Sequence, residues 1–270
     1  MAFWRKPIGF LKRDFFIASS YKFAFVFDLG TIIFSILTFF FIARLFGGYA
    51  SPYLQTYGGE YFPFVLVGLA LANYLSAAMT SFTRSLSQEQ YTGTLEFLLL
   101  SPTRVSTILL SSCLWDFLFA SVRVFLYFLL GVVFFGLDLS GVNPAAALAV
   151  LALTILSFSG FGILSASFIL VLKRGDPVNW FFNGISRFLG GVYFPIAILP
   201  LWMQKFSCLL PITYSLRAMR MAVLMGSSIK DILPDLTALI LISIIFLPAS
   251  ILCFGYALKK AKLNGSLTYY

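Results

Sequence analysis

Long apolar runs separated by short polar interruptions dominate the chain and set its architecture. Residues 23–46, 62–82, 105–135, 144–172 and 236–258 are each long enough and poor enough in charge to cross the roughly 30 Å hydrocarbon layer as helices. A further apolar run begins at Val178, carries Arg187 and meets Gly190 and Gly191. The helix is expected to break there against protein or a wet cavity, because hydrocarbon cannot satisfy freed backbone groups. The expectation is an all-α polytopic membrane protein of six transmembrane helices, one domain over residues 1–270. Residues 1–22 instead mix aromatic side chains with Arg5, Lys6, Lys12, Arg13 and Lys22. That suits a helix lying in the headgroup layer, the alternative being a mobile basic tail. Residues 194–234 are too long for a turn and too apolar for disorder, yet only 11 uncharged residues separate Lys205 from Arg217, too few to cross. They read as a re-entrant or surface-lying helical hairpin on the outer face, hinged near Pro211. Pro248 predicts a kink in the last span.

The longest polar interruption between spans is residues 84–104, RSLSQEQYTGTLEFLLLSPTR. If residues 87–100 are helical, Glu89, Gly93 and Glu96 share one face and Leu95, Leu98 and Leu99 another. Ser101 and Pro102 then end this helix and start the next span, since proline at a first helical position gives up no needed N–H. The acidic face is either simply solvated or offered to a partner. Gly93 costs about 1 kcal/mol relative to alanine in a helix interior. Either close approach by a partner or a local break accounts for it.

Composition narrows the function classes. With 60% hydrophobic and 11% charged residues, no soluble domain is left over. With both termini inside, twelve lysines and arginines fall in cytoplasmic segments and four outside (Lys205, Arg217, Arg220 and Lys230), as the positive-inside rule requires. The net charge of +9 therefore reads as membrane orientation and makes no case for nucleic acid. The basic N-terminus is not followed by a cleavage site, so no removable signal peptide is read. Cys113, Cys208 and Cys253 lack metal-ligand spacing and read as apolar fillers. The chain has no histidine, which removes the usual general base, and no G-x-x-x-x-G-K-[ST] phosphate loop. Gly160 and Gly162, in SGFG, sit inside a span and read as helix packing.

Charges within the spans are costly unless paired or hydrated. Asp28 lies near the inner end of the first span. Asp116 and Arg123, seven residues apart, point the same way two turns from each other. With Arg187 they form either a structural ion pair or trio, or contacts to a substrate or gate. Arg217 and Arg220, one turn apart, are expected to touch lipid headgroups or an exiting anionic cargo. The 32 phenylalanines are either lipid-facing bulk or the lining of a path for an amphipathic cargo.

Two blocks of residues carry a resemblance. Glu89, Gly93, Thr94, Leu95, Glu96, Leu98, Leu99 and Pro102 form the first. Gly190, Gly191, Phe194, Pro195, Pro200, Trp202, Pro211, Thr213, Tyr214 and Arg217 form the second. Together with the span layout they resemble the permease subunits of ATP-binding-cassette exporters of the type-2 class, with GTLEFLLLSP looking more like drug or lipo-oligosaccharide exporters. The resemblance implies that residues 84–104 hold a cytoplasmic coupling helix gripped by a separate nucleotide-binding ATPase subunit. That subunit, not this chain, would bind ATP and Mg. It also implies a second permease copy, most simply a homodimer, in a cytoplasmic (inner) membrane, exporting an amphipathic or lipid-linked cargo amid membrane lipids. Two other classes stay in view: a membrane-embedded lipid-modifying enzyme using Asp116 or Glu60 with arginines, and a passive channel or scaffold.

Overall fold

The computed structural model describes residues 5–46, 52–91, 93, 105–172 and 177–263, and no strand occurs among them. The helices are α1 (Arg5–Ser20), α2 (Lys22–Phe46), α3 (Tyr61–Tyr91), α4 (Val105–Phe135), α5 (Pro144–Leu172), α6 (Pro177–Leu189), α7 (Leu201–Ser207), α8 (Pro211–Leu224) and α9 (Leu233–Leu263). Short 3-10 turns at Pro52–Tyr57 and Ile196–Ile198 complete the set. Five helices, α2, α3, α4, α5 and α9, are long and apolar enough to cross a membrane. The expected fifth span corresponds to α6, whose 13 residues rise about 20 Å, short of the roughly 30 Å hydrocarbon core.

Helix α3 is the centre of the bundle. Its apolar stretch is 72% buried, against 11% for that of α2, so α3 meets protein on nearly every side while α2 presents most of its surface outward. It packs on α4, α5, α8 and α2, and α5 makes its most extensive contact with α9. Glycine permits two of these approaches. A Cβ on Gly162 of α5 would stand 2.8 Å from the Met79 carbonyl and 2.9 Å from that of Ala78, both on α3. A Cβ on Gly160 would meet the Phe246 backbone of α9 at 3.2 Å. The SGFG segment is thus a packing surface, as small residues in membrane bundles usually are. Buried hydroxyls add interhelical hydrogen bonds: Thr154 donates to Ser215 at 3.0 Å, and Ser157 donates to the Leu239 carbonyl at 3.0 Å.

The bundle has two distinct ends. At one, α1 lies across α4 and the last turns of α3. At the other, α6 stops at Gly190 and Gly191, the latter at φ +79°, and the chain turns through Pro195 and Pro200 into the α7–α8 hairpin. The hairpin folds at residues 208–210, and Pro211 opens α8 at the first helical position, where its missing N–H is not needed. The hairpin arm α8 is not surface-lying. Ile212, Leu216, Met219 and Ala222 are all buried, and α8 is wedged among α3, α5 and α9. Pro248 lies inside α9, which runs unbroken through it. Between hairpin and α9, the Ser228 hydroxyl and N–H both donate to Asp231, holding its carboxyl below the usual carboxylate range.

Residues 87–91 do not begin a separate helix. They are the last turns of α3, a single 31-residue helix, because no breaker falls between the second span and Gln90. The helix stops at Gly93, at φ +70°, whose N–H reaches the Gln90 carbonyl at 3.1 Å. That is a left-handed helix end, the conformation only glycine adopts cheaply.

Replacing Gly162 with valine should therefore destabilise the protein by about 1–3 kcal/mol, since its new atoms must displace backbone rather than a flexible side chain. Gly30 of α2 has nothing within 4 Å of its Cβ position, and Gly30→Ala should keep or slightly raise the thermal midpoint in detergent. Equal midpoints for both variants would contradict this packing.

Candidate functional site

Three groups of polar residues stand out, one at each end of α3 and one between. At the α1 end, Glu89 is buried, with its carboxylate accepting from Arg13 Nη1 at 2.8 Å. Arg13 Nε also donates to Asp14 at 2.8 Å, so one guanidinium joins two carboxylates. Phe15 of α1 meets Trp115 of α4 edge-on at 5.6 Å, which seats the same helix by its apolar face. Arg84 Nη1 stands 3.9 Å from Asp116 Oδ1. Glu89 therefore faces inward and binds α1 instead of lying on a solvated acidic face. Gly93 fits the second of its two expected roles, a local break: it takes φ +70° just past the end of α3, with open space at its Cβ position. Thr94, Glu96 and Pro102 lie outside the described residues.

Between the ends, Asp28 of α2 and Arg123 of α4 form an ion pair at 2.5 Å, and the Arg123 guanidinium stacks over Phe119 at 4.7 Å. Asp116 and Arg123 do share a face of α4. Seven residues separate them by about 10 Å along the axis, so each meets a different neighbour: Arg84 for Asp116 and Asp28 for Arg123. Asp116, Arg123 and Arg187 do not pair with one another among the described residues, and none of these residues forms an ion pair with Arg187, half-buried on α6. Asn73 of α3 donates to the Tyr127 hydroxyl at 2.9 Å, and Asn179 of α6 donates to the Met79 carbonyl and to Thr83 Oγ1, each at 3.2 Å.

At the hairpin end Arg220 is 3% exposed. Its Nε donates to the Phe64 carbonyl at 3.2 Å, and its Nη2 donates to the carbonyls of Gly191 at 2.9 Å and Val192 at 3.2 Å. The guanidinium lies over the Phe64 ring at 3.4 Å and near Tyr57 at 5.7 Å. Arg217 holds Asp235 with its Nε 2.8 and 3.0 Å from the two carboxylate oxygens, and a further Nη2 bond reaches the same group. Arg220 is shut away from headgroups by its burial, whereas Arg217 stays exposed beside its partner Asp235. The broken backbone beside α6 and the first turn of α9 engage them. Around them Thr213 donates to the Ser207 carbonyl at 2.6 Å and Tyr214 to that of Cys208 at 2.7 Å, closing the turn at Pro211. Phe194 meets Phe188 edge-on at 5.5 Å, Pro195 is buried, and Pro200 precedes α7.

Sequence reading missed Arg13 and Asp235 as partners. Asp235 had a signal, an acid in the first turn of a span beside a basic hairpin; Arg13 had none beyond its charge. No cluster of three or more histidine, cysteine, aspartate or glutamate side chains suited to a metal occurs among the described residues. The paired charged groups of the described residues are engaged in holding helices to one another. They supply clamps, one at each end of the central helix.

Two outcomes follow. Glu89→Arg should lower stability by about 1–2 kcal/mol, the pair being half-exposed on the Arg13 side, and adding Arg13→Glu should recover most of it in thermal unfolding. Arg220→Met should cost about 3 kcal/mol or more by leaving buried carbonyls without donors, and Arg220→Lys should recover less than half, because an ammonium cannot reproduce the fork.

A model of the family described as ABC-2 type transporter matches residues 11–224. Among curated proteins, none matches the chain.

Proposed function

The chain belongs to the ABC-2 type transporter family, and from that membership we propose that it is the permease half of an exporter driven by a separate ATPase. A multi-pass membrane subunit of an ABC transporter needs an ATP-binding partner, and this sequence contains no phosphate loop of its own. The observation that carries the coupling assignment is the end of α3. A helix that spans the bundle ends at Gly93, directly before residues 94–104, and is held there by Arg13 of α1. In this reading residues 94–104 form the cytoplasmic grip for the ATPase, and α1 and α3 move with it as one unit. Both termini lie in the cytoplasm of a cell with this chain in its inner membrane, following the distribution of lysine and arginine. ATP and Mg are bound by the partner subunit. Two copies of the chain, most simply a homodimer, enclose the route, and the cargo is amphipathic or lipid-linked.

Replacing residues 94–104 with a flexible Gly/Ser segment of equal length should leave membrane insertion intact. It should abolish co-purification with the nucleotide-binding subunit and ATP-driven export from reconstituted vesicles. A complex that survives the replacement places the grip elsewhere and ends this assignment.

A further inference from the structure

Helix α6 and the turn after it run antiparallel to α3 and meet it at two levels. At the α1 end Asn179 bonds Met79 and Thr83. At the hairpin end the Val192 carbonyl, three residues past the end of α6, lies against Gly68, where a Cβ would collide with it. Counted from the Asn179 contact, each step up α6 is a step down α3. This register puts Arg187 level with Asn73, and Asn183 level with Ala77, beside Ser76. All of Asn73, Ser76, Asn183 and Arg187 are half-buried, and Asn179, Asn183 and Arg187 recur every fourth residue on one face of α6. Between these two contacts the facing positions of α3 and α6 are polar, and this stretch is the α3–α6 slit.

The groups in this slit are incompletely satisfied. Asn183 Oδ1 is buried with no hydrogen-bond partner among the described residues, and the same holds for Arg123 Nε on α4. The fields of Arg187 and Arg123 both reach Tyr127, whose hydroxyl Asn73 holds. Asp28 neutralises Arg123, and among the described residues no carboxylate pairs with Arg187. Nor does depth relieve it. Asn73 stands twelve residues from Tyr61 at one end of α3 and nine from Phe82, where its apolar run ends, about 18 and 14 Å, farther than an arginine can snorkel. A lone guanidinium at mid-membrane is costly and calls for a counter-charge. Beside it, Phe188 and Phe181 of α6 are exposed and offer apolar surface to a chain or ring attached to that charge.

We propose that the α3–α6 slit, centred on Arg187 with Asn73, Ser76 and Asn183, is a seat for the anionic head of an amphipathic molecule, phosphate or carboxylate in kind. The seat deepens the export reading and rests on it only for the claim that its occupant is cargo. An anionic lipid of the membrane has the same chemistry, and the test separates the two sources.

The full chain in phosphatidylcholine nanodiscs, without ATP, is titrated with dodecyl phosphate, dodecylphosphocholine and inorganic phosphate. Dodecyl phosphate should bind at least tenfold more tightly than the other two. Arg187→Gln should erase that preference, Arg187→Lys should keep most of it, and Asn183→Asp, which alters charge without volume, should weaken dodecyl phosphate about tenfold. A preference unchanged in Arg187→Gln and Asn183→Asp overturns the seat, and equal binding of inorganic phosphate overturns its assignment to an amphiphile. With the ATPase partner and ATP added in vesicles, cargo is carried out and a resident lipid stays in place. Binding that depends on Arg187 without any ATP-driven movement of dodecyl phosphate keeps the seat, assigns it to lipid and refutes only the cargo claim.

Discussion

A backbone polar group in hydrocarbon has no water to turn to, and the whole hairpin end of this molecule is arranged around that fact. Helix α6 stops halfway through what would be a span, at Gly190 and Gly191, and leaves carbonyls that no next turn can bond. Arg220 supplies the missing donors to Gly191 and Val192, and with the same guanidinium ties Phe64 at the start of α3. Arginine suits this because its planar fork reaches several acceptors at fixed angles while its flat face rests on Phe64. The hairpin that carries Arg220 must then enter the bundle, which is why α8 is buried among helices. The break and the arginine require each other.

The ion pairs extend the same economy. Arg13–Glu89, Arg123–Asp28 and Arg217–Asp235 each join two different helices. Pairing charges in a poorly hydrated setting gains little net stability against well-packed apolar residues, yet removing one member leaves the other without compensation. Such pairs therefore select one arrangement of helices more than they strengthen it. Where a charge within the bundle has no ion-pair partner among the described residues, as with Arg187, this selection does not extend to it.

How far the sequence could be read follows from what each signal reports. Span positions were legible because about 20 apolar residues in a row admit few other structures, and the hinge at Pro211 because proline fixes where a helix can start. The period of a helix tells which residues share a face but not what that face meets. Glu89 looked like part of an outward acidic stripe for this reason, although its partner Arg13 is 76 residues away in an unrelated segment. Gly93 admitted two accounts because a helix interior and a helix end present the same letter. Only the backbone angle separates them. Arg217 and Arg220 were read together as neighbours one turn apart, yet one faces the first turn of α9 and the other the α6 break, since three residues on a helix turn the side chain by about 60°.

Helix α3 connects these parts. Phe64, held by Arg220, and Glu89, held by Arg13, are twenty-five residues apart on one unbroken helix, about 38 Å at 1.5 Å per residue. A continuous α-helix resists bending within its own hydrogen-bond ladder, so a displacement imposed at Gly93 cannot be absorbed along the way. Either the packed neighbours of α3 move with it or the clamps at its ends yield. Packed cores shift between discrete arrangements rather than deform smoothly, and the glycine contacts to α5 leave no slack for partial movement. In the proposed cycle, a pull on residues 94–104 thus reaches the α6 break and the slit at Arg187 together. The mid-membrane charge would be uncovered at the same moment that the grip moves.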